Sequence, residues 1–100
     1  MKRNELAEAF AAAVRSPYSR ASNLWYSEDK AFSYATPVAE KLPWVYRGRR
    51  TVWVTSQKYS QSTTIHINAL LQAFAETRYR VLRTEIAPTT REELIRLLEE

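Results

Sequence analysis

The longest apolar periodic segment in the chain runs from Tyr59 to Glu76, YSQSTTIHINALLQAFAE. It opens on hydroxyls and amides, passes the only histidine and continues through Ile67, Leu70, Leu71 and Phe74. Spacings of three and four put those four side chains on one face of a helix, with Asn68, Gln72 and Glu76 opposite. Ser62 or Thr63 is the expected N-cap, because a short hydroxyl side chain can accept from an unpaired N–H of the first turn. The helix is expected to end near Thr77.

Before this segment the pattern changes period. Lys2 to Arg15 still reads as a helix, with Leu6, Phe10, Ala13 and Val14 on one side; Pro17 stops it, and Ser16 before the proline is pushed out of helical geometry. Asn23–Ser27 and Ala31–Ala35 then alternate like two strands joined by the polar turn Ser27–Lys30. Leu24 and Tyr26 share one face, Trp25 takes the other, and Phe32 pairs with Tyr34. Thr36-Pro37 ends the second strand or bends it at an edge, and Val38–Leu42 is ambiguous. Trp44–Thr55 predicts a second hairpin turning at Gly48, the only glycine, where positive φ is tolerated. Val52 and Val54 face one way; Thr51, Trp53 and Thr55 face the other.

After the main helix, Tyr79–Ile86 alternates loosely and predicts a strand, with Leu82 and Ile86 on one face. Pro88 breaks the chain. Thr90 and Glu93 have capping-box spacing and open a last helix that buries Leu94, Ile95, Leu97 and Leu98. The expected fold class is α+β: a small antiparallel sheet of three to five strands packed against a central helix, with short N- and C-terminal helices, all in one domain over residues 1–100.

Composition narrows the chemistry. A chain of 100 residues buries roughly two-thirds of its unfolded surface, enough to fold with little margin. There is no cysteine, so disulfides and thiolate metal sites are excluded, and one histidine does not make a metal site. No apolar run approaches the ~18 residues of a membrane helix, and Met1–Phe10 has no signal-peptide core; a soluble, cytoplasmic protein is expected. A single glycine excludes phosphate loops of the Walker or dinucleotide type. There is no Gly-x-Ser-x-Gly elbow and no acid near His66 in sequence. We therefore expect no enzyme, no catalytic residues, no metal and no cofactor.

Charge gives the leading candidate. From Lys41 to Arg83 eight bases face Glu76 alone, whereas four glutamates outnumber two arginines between Pro88 and Glu100. Arg47, Arg49 and Arg50 cluster at the second hairpin turn, with Lys58 beyond it, and Trp44 and Tyr46 beside it. Arginine and lysine neutralise phosphates, and aromatics stack on bases. Arg78, Arg80 and Arg83 follow the main helix and extend the patch if the last strand pairs with this sheet. The alternative is that the aromatics are core and the arginines guard a sheet edge. A second candidate is the hydroxyl-rich helix start formed by Tyr59, Ser60, Thr63, Thr64 and His66, which is either an anion site or an ordinary cap.

Two fragments carry a resemblance. Phe32-Ser33-Tyr34-Ala35-Thr36-Pro37-Val38-Ala39, after the Leu24-Trp25-Tyr26 strand, looks like a Tyr-Ser-Tyr-Gly-x-Pro-Ile-Ala pattern, with Ala35 in place of glycine. Tyr59-Ser60-x-Ser62-Thr63-Thr64-x-His66 looks like a Tyr-Ser-x-Thr-Thr-x-x-His pattern, with Ser62 shifting the spacing by one. Together they resemble an uncharacterised family of small phage, plasmid and archaeal proteins. The resemblance implies a mobile-element accessory protein and no particular activity. Three functions follow as expectations: nucleic-acid binding through the basic, aromatic face; binding and modulation of a host protein complex; or a structural, self-associating role with the aromatics buried between copies.

Overall fold

The structure is a computed structural model that describes residues 2–12, 19–21 and 23–100. The elements are α1 (Arg3–Ala11), β1 (Ser19–Ala21), β2 (Leu24–Ser27), β3 (Lys30–Ser33), β4 (Thr36–Tyr46), β5 (Arg49–Val54), α2 (Gln61–Ala75), β6 (Arg80–Leu82) and α3 (Arg91–Glu99). The α+β class is as expected. The expected first-helix positions Ala13, Val14, Arg15, Ser16 and Pro17 lie outside the described residues.

All six strands form one sheet in chain order, β1 to β5 antiparallel and β6 parallel to β5. The sheet thus has one strand more than the expected three to five and is mixed. A parallel partner needs a crossover connection, and α2 supplies it between β5 and β6. Tight two-residue turns make the meander: Glu28-Asp29, Tyr34-Ala35 and Arg47-Gly48. Each has positive φ at its first residue, +56° at Glu28, +59° at Tyr34 and +52° at Arg47. At Arg47-Gly48 the second residue is also positive, +78°, the combination that matches strand twist in a type I′ turn.

β4 runs unbroken through the segment that was ambiguous in sequence, despite its two prolines. Proline cannot donate to a ladder, and both sit at irregular pairing. Pro37 opposes Phe32 beside a register shift, and Pro43 falls in the Lys41–Val45 shift against β5. Thr36-Pro37 therefore opens a new strand rather than ending the previous one. Tyr34, expected in a strand beside Phe32, is instead in the turn and 48% exposed.

The pleat sorts side chains onto two faces. Tyr26, Ala31, Ala39 and Val54 form one cross-strand row and point toward α1 and α2, as does Val52. There they meet Leu6 and Phe10 of α1 and Ile67, Leu70 and Phe74 of α2. Phe10 sits at the centre, 5.2 Å from the Tyr26 ring and 5.6 Å from Phe74 in an edge-on contact. Burial of each such side chain is worth roughly 1.5–3 kcal/mol. On the other face α3 covers Leu42, Trp53 and Leu82 with Leu94, flanked by Trp44, Leu97 and Leu98. Leu82 is buried, but Ile86, expected on its face, is 79% exposed because β6 stops at Leu82.

One charge lies among the apolar residues. Lys41, opposite Val52 on the helical face, is 6% exposed. Its Nζ donates to the Phe10 carbonyl at 2.9 Å and lies 4.5 Å over the Phe10 ring. The last turn of α1 has no base of its own, so Lys41 places a cation at the helix's negative end from a neighbouring strand. Burial lowers the Lys41 pKa, with Arg50 adding to the effect and Asp29 opposing it.

Candidate functional site

The N-terminus of α2 meets the end of β3 in a buried polar cluster. The N-cap is Ser60, not Ser62 or Thr63: its Oγ accepts from the Thr63 N–H at 3.3 Å, so the helix begins two or three residues earlier than expected. Thr63 and His66, one turn apart, belong to the inward stripe with Ile67, Leu70 and Phe74. Ser33 pairs with Leu24 across β2 and β3, which aims its side chain at the same helix. Its Oγ is 2.9 Å from Thr63 Oγ1 and 2.6 Å from His66 Nδ1. Ser60 Oγ lies 3.3 Å from Thr63 Oγ1.

One proton assignment satisfies every member. The Thr63 N–H donates to Ser60, the Ser60 hydroxyl to Thr63, the Thr63 hydroxyl to Ser33 and the Ser33 hydroxyl to His66 Nδ1. His66 is then neutral with its proton on Nε2. Its pKa is lowered, first by burial and then by the Arg3 guanidinium.

A Ser–His pair at hydrogen-bond distance is the geometry of an activated nucleophile. Two features oppose that use here. Ser33 is fully buried, so no substrate carbon reaches its Oγ. The charged group acting on His66 is the cation Arg3, which disfavours the imidazolium that a general base must become. The cluster joins the end of β3 to the first turn of α2. The other two motif residues stand apart from it: Thr64 is exposed and bonds back to the Ser60 carbonyl at 3.1 Å, and half-buried Tyr59 donates to Gln57 at 3.2 Å.

The basic cluster forms at the opposite end of β5. Pairing of β4, β5 and β6 brings Arg47, Arg49 and Arg50 to Arg78 and Arg80. Arg49 donates to the carbonyls of Arg78 and Tyr79 at 2.9 and 3.2 Å, and Arg80 to that of Tyr46 at 3.3 Å. Arg50 donates to Leu42 at 3.0 Å and stacks over Tyr79. These arginines thus close the sheet while keeping their charge, since a carbonyl partner neutralises nothing. Among the described residues the only carboxylate touching the group is Glu99 of α3, which accepts from the Tyr46 hydroxyl and lies 3.8 Å from Arg47. Arg47 is 74% exposed, and Arg78 is exposed with no hydrogen bond from its guanidinium among the described residues.

Three expected members have other surroundings. Lys58 lies past the far end of β5, the end where Arg83 donates to Val54 and Thr55. Trp44 is half-buried and packs on the α3 cluster, and Tyr46 lies between the guanidiniums of Arg47 and Arg80, 5.3 and 5.5 Å from them. Ser33 and Glu99 were missed as site residues. Ser33 stood in the motif fragment, but only the fold brings it to His66; Glu99 carried no local signal. Arg78 and Arg80, the bases that follow the main helix, extend the patch because the last strand pairs with β5, whereas Arg83 lies at the far end.

Among the described residues there is no group of three or more His, Cys, Asp or Glu placed to hold a metal, and no helix long and apolar enough to cross a membrane. No curated protein and no solved structure matches the chain. A family of unknown function, DUF8033, matches residues 8–87, a span that includes both motif fragments, the buried cluster they build and the arginines of β5 and β6. The chain belongs to this family of unknown function.

Proposed function

We propose that the chain is a non-catalytic accessory protein of phage or mobile-element type that binds nucleic acid through the basic end of its sheet. The observation that carries this reading is the gathering of Arg47, Arg49, Arg50, Arg78 and Arg80 at one end of the sheet, with a single carboxylate, Glu99, beside Arg47 among the described residues. Fixed guanidiniums suit phosphate, because they are charged at any working pH and lose little freedom when they bind. The contacts are with the backbone rather than with bases: Tyr46 is occupied by its arginine neighbours and Trp44 by α3. Recognition is therefore of phosphate geometry, with little sequence preference.

The test is binding of the purified protein to random single- and double-stranded nucleic acids as salt rises from about 50 to 200 mM, where a multi-phosphate contact loses orders of magnitude in affinity. Absence of binding at low salt rules the reading out. A second reading, modulation of a host protein or self-association, draws on the outer face of β2–β4. There Trp25 and Phe32 stack at 4.1 Å while half-buried, and Pro37 and Ile86 are exposed nearby on an open groove of about 300 Å³. A discrete co-purifying partner, or a mass above the 11.7 kDa monomer, would favour it.

A further inference from the structure

Glu99 stands in a place that helix stability does not explain. It is in the last turn of α3, where a carboxylate opposes the helix dipole. Its contacts all lie on the basic cluster: it accepts from the Tyr46 hydroxyl and approaches Arg47. With Tyr46, Arg47, Arg80 and Leu98 it lines an open cleft of about 450 Å³. Arg47 and Arg80 hold their guanidiniums over the Tyr46 ring, so one hydroxyl donor and two cations converge on the cleft that this carboxylate occupies. The same contact raises the Tyr46 pKa, mainly through its hydrogen bond to Glu99.

We propose that the cleft of Tyr46, Arg47 and Arg80 is the seat of one backbone phosphate, and that Glu99 is its built-in competitor. A carboxylate and a phosphate present the same thing to these donors, oxygen acceptors with negative charge. In the unbound protein Glu99 satisfies the Tyr46 hydroxyl and offsets Arg47. A phosphate entering the cleft takes over both and releases Glu99 to solvent, where α3 loses nothing because the carboxylate was opposed to its dipole. Glu99 thereby weakens indiscriminate anion binding and sets a threshold that a polyanion with several phosphates passes and a lone anion does not. This inference rests on the nucleic-acid reading above.

The experiment compares Glu99→Gln with Glu100→Gln in the full chain, using a short oligothymidylate as probe at about 50 mM salt. The two variants have the same net charge and differ only in whether the changed residue touches Tyr46 and Arg47. Glu99→Gln is expected to bind about two- to fivefold more tightly than Glu100→Gln, the equilibrium worth of an exposed ion pair. The advantage should vanish when Arg47→Ala is added to both. Equal affinities of the two variants, with the wild-type protein binding, would overturn the competitor role and leave the nucleic-acid reading standing. No binding by any of the three would overturn both.

Discussion

Ser33 Oγ lies 2.6 Å from His66 Nδ1, and this contact joins two sequence fragments 33 residues apart. Both partners are buried, and Ser33 also accepts from the Thr63 hydroxyl, so the three groups form one hydrogen-bonded chain. Ser33→Ala leaves the imidazole nitrogen and the Thr63 hydroxyl short of a partner. The expected cost is about 1–3 kcal/mol, read as a lower midpoint in urea with an unchanged slope. A double-mutant cycle with Thr63→Val should show strong coupling, because both changes break the same chain of hydroxyls.

The same contact makes stability depend on pH with a definite sign. The folded-state pKa of His66 is below its unfolded value, so the unfolded chain binds the extra proton first. Stability contributed by neutral His66 is whole above the unfolded pKa of about 6.5 and is lost as pH falls from there through the folded pKa. Protonation would also reverse the donor at Nδ1 and force the Ser33 hydroxyl to turn away. Thermal midpoints measured from pH 7 down to pH 4 should fall in the wild-type protein, and fall less in His66→Gln. Parallel profiles would remove His66 as the cause.

Much of this was legible in the sequence, and the reasons differ by element. The turn at Gly48 and the alternation of Val52, Trp53 and Val54 depend on local chemistry, so pattern alone placed them. The strand containing Pro37 and Pro43 was hidden because each proline reads as a break, and only pairing shows that both sit at bulges. β6 was found but its direction was not, since three residues carry no information on whether a neighbour runs parallel. At the basic site Arg47, Arg49 and Arg50 stood out as a run. Arg78, Arg80 and Glu99 join them only through the crossover and α3.

A backbone effect can be isolated at the turn. Gly48 has φ +78°, and a Cβ there would touch nothing within 4 Å. Gly48→Ala should therefore cost about 1 kcal/mol through conformation alone, without disturbing the neighbouring side chains. Equilibrium unfolding measures it, and an unchanged midpoint would mean that the turn relaxes.

Thr51 offers a change in the opposite direction. Its side chain is fully buried and its Oγ1 has no hydrogen-bond partner among the described residues. Thr51→Val keeps the shape and removes the unpaired hydroxyl, so it should raise stability by up to about 1 kcal/mol. A higher thermal midpoint is expected; a lower one would show that the hydroxyl is paired in solution.

The most direct test of the central claim uses arginines that the fold does not need. Arg47 and Arg78 are exposed, and among the described residues neither guanidinium donates to a backbone carbonyl, unlike those of Arg49, Arg50 and Arg80. The double variant Arg47→Ala/Arg78→Ala is compared with Lys58→Ala/Arg91→Ala, which removes the same charge beyond the far end of β5 and from the opposite end of α3. The measurement is the slope of log affinity for nucleic acid against log salt. The first variant should lose about two units of slope, roughly one per phosphate contact, while the second keeps close to the wild-type value. Equal losses in both variants would contradict the claim, because binding would then follow net charge rather than the basic end of the sheet.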